Sequence, residues 1–207
     1  AKDPVYFMKK YCWIQHPTRG RIQFNLFPFQ EGTLNILQKN DRSIILKSRQ
    51  LGISTLSAGL GLWMMLFQKD KAILVVATKQ DTAKNLVTKV KFMYDNLPSW
   101  LQIGFEEKNK LALRLNNGSQ IKAVSAASDA GRSEAISLLI IDEAAFIENN
   151  RIDEIWGSSQ QTLSTGGKAI ILSTPNGTGN FFHKMWIKGE EGINGFVPIR
   201  LPWTVHP

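Results

Sequence analysis

The chain has 207 residues and a formal net charge of +8, from 25 Lys and Arg against 17 Asp and Glu. This length allows one domain with a substantial core and is too short for two large ones, and the charge suits an anionic partner such as nucleic acid without requiring one. The single cysteine, Cys12, excludes an internal disulfide framework and a cysteine-rich zinc site, so a reducing cytoplasm is the simplest compartment. No apolar run approaches the about 20 residues of a membrane span, so we expect no membrane partner.

Four apolar runs, each followed by loop residues and a helical pattern, predict a mainly parallel sheet covered by helices. The runs are SIILKS at 43–48, AILVVAT at 72–78, SLLIIDE at 137–143 and AIILST at 169–174. Between the second and third runs, LALRLNNGSQIKAVS at 111–125 alternates around Asn117-Gly118 and predicts an antiparallel hairpin. Helices are predicted at 54–67, 80–95, 151–163 and 179–188. The predicted fold class is therefore α/β, with flanking helices and an inserted hairpin.

The segment KSRQLGIST, residues 47–55, has the outline of a phosphate-binding loop, because it joins an apolar strand to a helix through Gly52. Such loops work because backbone N–H groups at the helix start face the anion. The common G-x-x-x-x-G-K-[ST] pattern places a lysine where this chain has Ile53. The alternative is that Ser54 and Thr55 only cap the helix and Gly52 only makes a turn.

The missing positive charge has two candidate sources on the leading side of the loop. A phosphate needs a cation nearby rather than at one sequence position, so we expect Lys47, on its flexible stem, to replace the lysine missing at Ile53. Arg49 is the rival. We also expect Ile53→Lys to be tolerated, and to restore part of the activity in a Lys47→Ala background.

The segment LLIIDEAAF, residues 138–146, predicts a buried strand that delivers Asp142 and Glu143 to the carboxyl edge of the sheet, where ligands of open α/β sheets bind. In that position Asp142 would hold Mg²⁺ and Glu143 would polarise the attacking water. The alternative is a capping pair for a helix beginning at Ala144, a role that suits Asp better than Glu.

Taken together, these motifs resemble the ATPase domain of the large terminase subunit, the DNA-packaging motor of tailed bacteriophages and herpesviruses. SRQLGIST resembles the loop S-R-Q-L-G-K-[ST] of that family, LLIIDEAAF its second Walker motif and ILSTPNGTGNFF its coupling motif. Upstream, IQHPTRGRIQFNLFPFQEGTLNIL resembles the segment that ends in an adenine-recognising glutamine. The resemblance runs from about Val5 to His206. It implies a P-loop NTPase fold of the ASCE or RecA-like kind, in one ATPase domain over 1–207 with an adenine-recognition segment at about 5–40.

The resemblance also implies a role for individual residues. The catalytic residues would be Glu143 as base and Arg132, in the small-residue loop SAASDAGRSEAIS at 125–137, as an arginine finger inserted into a neighbouring subunit. Magnesium would be held by Ser54 and Asp142. The residues that bind ATP would be Gln30, Lys47, Ser48, Arg49, Gln50, Leu51, Gly52, Ile53, Ser54, Thr55, Ser173 and Thr174.

The implied function is an ATP-hydrolysing motor that moves double-stranded viral DNA into a procapsid. Its partners would be DNA, the portal protein and procapsid, the small terminase subunit and further copies of itself in a ring, in the cytoplasm of the infected cell. The acidic cluster of the family's C-terminal nuclease domain is not seen in this sequence, so no nuclease activity is expected from this chain. The alternatives are a superfamily 2 helicase-like translocase and a non-hydrolysing DNA-binding module with a degenerate loop.

Basic residues recur in TKQDTAKNLVTKVK at 78–91, on or near one predicted helix. They are either contacts for DNA phosphates or a solvated helix face. The residues are Lys79, Lys84, Lys89 and Lys91.

Overall fold

An eight-stranded sheet with helices on both faces forms the centre of the computed structural model, which describes residues 3–126, 135–163 and 166–206. The strands of these residues are β1 (Trp13–His16), β2 (Gly20–Gln23), β3 (Arg42–Lys47), β4 (Ala72–Ala77), β5 (Phe105–Lys108), β6 (Ala112–Leu115), β7 (Gln120–Ser125), β8 (Leu138–Asp142), β9 (Lys168–Ser173) and β10 (Val197–Leu201). The helices are α1 (Pro4–Tyr11), α2 (Pro28–Lys39), α3 (Ile53–Phe67), α4 (Gln80–Asp95), α5 (Asn149–Leu163) and α6 (Phe181–Glu190).

The order of strands in the sheet is β10-β3-β9-β8-β4-β7-β6-β5, and β1 pairs with β2 in a separate antiparallel hairpin. Every neighbouring pair from β10 to β7 is parallel, whereas β6 and β5 continue the sheet antiparallel. Because β9 lies between β3 and β8, the residues that follow those two strands face each other across one intervening strand.

Alternation along the strands divides the core into two layers. On β8, Leu138 and Ile140 face the layer of α1 to α4, and Leu139 and Ile141 face the layer of α5 and α6. Asp142 continues this alternation and therefore points toward the layer of α3 and α4. None of the described helices is both long enough and apolar enough to span a bilayer.

The predicted α/β class with a mostly parallel sheet is confirmed. The four apolar runs are β3, β4, β8 and β9, and the hairpin around Asn117 and Gly118 is β6–β7, with β5 added at its edge. The four predicted helices are α3, α4, α5 and α6, with ends shifted by up to two residues. The sequence did not predict α1, the β1–β2 hairpin, α2 or β10.

Candidate functional site

The loop between β3 and α3 contains two residues in the left-handed region, Gln50 with φ 64° and Gly52 with φ 71°. A Cβ atom on Gly52 would lie 2.7 Å from the amide nitrogen of Gln30, so a larger residue would strain the left-handed backbone and displace the Gln30 side chain. No side chain among the described residues caps the start of α3. The N–H groups of its first turn are therefore available to an anion.

Ile53, the first residue of α3, is 1% exposed and belongs to the core layer of α1 to α4. A lysine at this position would have to bring its charge out of packed apolar surroundings. We therefore expect Ile53→Lys to lower stability, contrary to the sequence-based expectation that it would be tolerated. Arg49 is exposed on the loop and has no hydrogen bond or ion pair with any residue the structure describes.

Lys47, at the end of β3, is 7% exposed, and its Nζ lies 2.9 Å from Oε1 of Glu143. The second carboxylate oxygen of Glu143 accepts hydrogen bonds from the hydroxyl of Thr174 at 3.2 Å and from its backbone N–H at 3.4 Å. Three residues that were chosen from separate motifs are thus in direct contact. They come from the end of β3 and from the residues that follow β8 and β9.

Asp142 is buried at the end of β8, and burial raises the pKa of its carboxyl above the ordinary value. The Ser54 hydroxyl, through hydrogen bonding, and the nearby Lys47 charge oppose this rise. One oxygen of Asp142 also accepts a hydrogen bond of 2.9 Å from the backbone N–H of Glu143. The two predicted metal residues therefore lie beside each other, next to Lys47.

The segment after β9 is bonded to the segment after β8. The Ser173 hydroxyl accepts from the N–H of Ala145 at 3.1 Å, and the Asn176 side chain donates to the carbonyl of Ala145 at 3.0 Å. With the Thr174 bonds to Glu143, these contacts attach the segment after β9 to Glu143 and Ala145. Asn176 had not been singled out from the sequence, and its only signal is a short amide directly after Pro175.

Gln30 is 3% exposed on α2, and both ends of its amide are engaged. Its oxygen accepts from the N–H of Phe27 at 3.0 Å, and its nitrogen donates to the carbonyl of Leu51 in the phosphate loop at 2.9 Å. In this structure the Gln30 side chain stabilises the phosphate loop through its hydrogen bond to Leu51. Its recognition of adenine stays a prediction.

Two other predictions meet different outcomes. Arg132 lies outside the described residues. The lysines near α4 do not share one outer face: Lys79 is exposed, Lys91 donates to the carbonyl of Asn109, and Lys89 is half-buried and faces inward.

The donor set suits a magnesium ion that is shared with a nucleotide. Asp142 and Ser54 offer hard oxygen ligands, and Mg²⁺ commonly binds through one or two protein oxygens, with phosphates and water completing its shell. No group of three His, Cys, Asp or Glu side chains within the described residues forms a self-sufficient metal cage. The arrangement therefore fits Mg²⁺ carried by a phosphate ligand.

The site combines a loop that contains Gly52, a helix start without a side-chain cap, and two carboxylates that lie one strand away from that loop. These features define a phosphate-loop nucleotide-binding protein of the α/β class. Solved structures share the fold. The Thermus phage P74-26 large terminase ATPase domain is 22% identical, with a TM-score of 0.68 over 88% of this chain and 83% of that one. The large terminase of bacteriophage HK97 is 17% identical, with a TM-score of 0.76 over 98% of this chain and 43% of that one. The UvsW helicase from bacteriophage T4 is 15% identical, with a TM-score of 0.62 over 97% of this chain and 67% of that one.

Residues 44–202 match the family described as terminase large subunit, T4likevirus-type, N-terminal. The chain belongs to this family. Membership supports a role in the phage DNA-packaging motor and ATPase activity in general. The chain spans less than half of the HK97 large terminase, whereas it spans most of the separate P74-26 ATPase domain.

Proposed function

We propose that this chain is the ATP-hydrolysing motor domain that drives double-stranded viral DNA into a procapsid. The observation that carries the proposal is the convergence of five side chains from three motifs at one edge of the sheet. Family membership and the shared fold support it. The residues are Lys47, Ser54, Asp142, Glu143 and Thr174.

The contacts suggest how these residues act in turn. In the structure Lys47 neutralises Glu143, so neither is free for chemistry. Nucleotide phosphates at the start of α3 compete for the Lys47 ammonium, which releases one carboxylate oxygen of Glu143 to take a proton from the attacking water. Thr174 still holds the other oxygen, so the carboxylate stays aimed.

Ser54 and Asp142 are the residues that would hold magnesium, and the ion, when bound, would neutralise charge on the β- and γ-phosphates. Asp142 must be ionised for this role. The neighbouring Lys47 charge, which lowers the pKa of Asp142 against the effect of burial, favours that ionised form.

We propose further that the motor works as a ring on the procapsid, in the cytoplasm of the infected cell. Arg132 would act as a finger in the site of a neighbouring subunit, and the portal protein and the small terminase subunit would be the other partners. The whole chain, 1–207, would be one ATPase domain with adenine recognition in about 5–40, and we expect no nuclease activity from it.

The proposal is tested by Glu143→Gln, which keeps the shape of the side chain and removes the base. Turnover of ATP should fall by a factor of about 10² to 10⁴, the usual worth of a general base, while ATP binding persists. Glu148→Gln is the matched control, because Glu148 is an exposed glutamate five residues further along. Equal turnover in the two variants would remove Glu143 from the mechanism.

The helicase alternative is favoured by the fold shared with UvsW, which at 15% identity shows the fold alone. Unwinding of a forked duplex and translocation along an intact duplex separate the two functions. ATP-dependent strand separation would favour the helicase. A chain that binds ATP but hydrolyses none, alone or in a ring on DNA, would instead favour the non-hydrolysing module.

A further inference from the structure

A cavity of about 430 Å³ opens between the β1–β2 hairpin and α4, beside the start of α3. Its polar lining includes Thr55, the neighbour of the proposed magnesium residue Ser54, together with Asn85, Thr88 and Lys89 from α4. Hydroxyl and amide groups beside a lysine form a set of hydrogen-bond donors that suits an anion.

Lys89 is the unusual member of this lining. It is half-buried, and its ammonium makes no hydrogen bond or ion pair with any residue the structure describes. Burial lowers the pKa of Lys89, while the charge of Asp142 raises it and that of Lys47 lowers it again. The ammonium therefore lies within electrostatic range of two residues of the nucleotide site. A partly desolvated cation without a partner is unfavourable, and an anionic ligand would relieve it.

The two other half-buried lysines of α4 lack this combination. Lys91 donates to the carbonyl of Asn109, and Lys84 does not line the cavity. Position 53, where a phosphate loop usually has its lysine, is occupied by an isoleucine that packs in the core. The phosphate loop therefore lacks its usual lysine, and Lys89 is a candidate for a further cation besides Lys47 and Arg49.

We propose that Lys89 and the cavity it faces bind a phosphate group from the nucleotide reaction, which rests on the function proposed above. The group is either the γ-phosphoryl of ATP or inorganic phosphate after cleavage, since both present the same oxygens. Phosphates of duplex DNA are the competing macromolecular ligand, but the half-buried ammonium favours a small anion that can enter the cavity.

The test compares wild type with Lys89→Met, which keeps an unbranched stem and removes the charge, and with Lys89→Arg, which keeps the charge. Lys84→Met is the control for losing one positive charge from the same helix. Each protein is titrated by calorimetry with ATP-γ-S, with ADP, and with inorganic phosphate in the presence and absence of ADP.

If the γ-phosphoryl is the ligand, Lys89→Met should weaken ATP-γ-S binding by about tenfold and leave ADP binding unchanged. If free phosphate is the ligand, both nucleotide affinities should stay the same and the affinity for inorganic phosphate should fall by about tenfold. Lys89→Arg should keep most of the affinity in either case. The melting temperature of nucleotide-free Lys89→Met should rise, because a partly desolvated charge has been removed.

The proposal is overturned if Lys89→Met matches Lys84→Met in every titration, or if only its affinity for duplex DNA falls. Should Lys89→Met fail to fold, Lys89→Gln removes the charge with a polar side chain and decides between the same outcomes. A wild-type chain that bound no nucleotide would contradict the proposed function, and its titration with inorganic phosphate would still decide whether Lys89 forms an anion site.

Discussion

Two turns at the same edge of the sheet, the phosphate loop after β3 and the turn after β8, each contain a residue with left-handed backbone, but the residue types differ. In the phosphate loop, Gly52 has φ 71° and has no room for a Cβ atom beside Gln30. After β8, the left-handed residue is Glu143, with φ 52°. Glycine adopts this conformation without steric penalty, whereas a glutamate is uncommon there.

The difference follows from what each turn presents to a ligand. The phosphate loop presents its main chain, so a residue without a side chain serves best at position 52, although Gln50 of the same loop is also left-handed. The turn after β8 presents a carboxylate at a defined point, and contacts with Lys47 and Thr174 hold that carboxylate. Backbone strain of this kind persists where surrounding contacts fix the residue, and it clusters at functional sites.

Among the substitutions that test this comparison, the largest expected effect comes from removing Lys47, which links the two turns. Lys47→Ala should lower kcat/KM for ATP by a factor of about 10² to 10³, because a fixed charge near the phosphates is lost. Steady-state ATPase assays and ATP titrations measure the change. Lys168→Ala is the matched control, because Lys168 pairs with Asp41 at 3.0 Å, outside the site. Undiminished turnover in Lys47→Ala would make Arg49 the candidate source of the charge.

The next effect concerns the glycine turn. Gly52→Ala should lower the free energy of unfolding by about 2 to 3 kcal/mol, from left-handed strain of about 1 to 2 kcal/mol and disturbance of the Gln30 hydrogen bonds. Gly20→Ala isolates the first term, since Gly20 has φ 67° with nothing within 4 Å of an added Cβ. Urea denaturation of both variants gives the difference. Equal losses would show that Gln30 moves aside freely.

Much of the central fold was predictable because its signals are local. The strands β3, β4, β8 and β9 are continuous apolar runs, and Asn117-Gly118 specifies a hairpin turn within four residues. The amphipathic pattern of α4 and the apolar composition of α3 likewise lie within one segment. Three motifs of the site directly follow β3, β8 and β9, so their meeting at one sheet edge follows from parallel topology.

The remaining features depend on contacts between distant segments. The side chain of Gln30 donates a hydrogen bond to the carbonyl of Leu51, 21 residues away, and no local sequence pattern predicts this contact. Lys89 lines a cavity because the β1–β2 hairpin lies beside α4. The lysines near it in the sequence instead suggest a basic helix face that is exposed. The left-handed conformation of Glu143 has no local signal, because glutamate rarely adopts it.

The strain at Glu143 predicts that the usual order of stability of an alanine variant and a glycine variant is reversed at this position. Glu143→Ala and Glu143→Gly both remove the contacts with Lys47 and Thr174, but only glycine relieves the left-handed backbone. Glu143→Gly should therefore be the more stable variant by about 1 kcal/mol, although glycine is normally the less stable of the two. Urea denaturation measures this, with the same Ala and Gly pair at exposed Asp153, inside α5, as the control. Alanine being the more stable at both positions would argue against strain.

The smallest expected effect is the pH dependence of stability that comes from Asp142. Burial raises its pKa, so the folded chain holds this proton more tightly than the unfolded chain does. The stability contributed by this proton is complete below the ordinary pKa of aspartate and is lost as pH rises through the raised value. Ser54, Lys47 and Lys89 oppose the rise, which keeps the effect small. The melting temperature of Asp142→Asn, relative to that of wild type, should therefore rise as pH increases from about 3.9.

Asp153→Asn, an exposed change on α5, is the control for that titration, and thermal melts at fixed ionic strength measure both differences. Magnesium and nucleotide should reverse the order at neutral pH, because wild type then has a cation against the Asp142 carboxylate and binding stabilises the folded state. This reversal also distinguishes the phosphate loop from the end of β8. In the phosphate loop the ligand would contact uncharged N–H groups, whereas at the end of β8 it would offset the charge of the buried Asp142 carboxylate. A gap between Asp142→Asn and wild type that stayed constant with pH, with and without magnesium, would contradict this account.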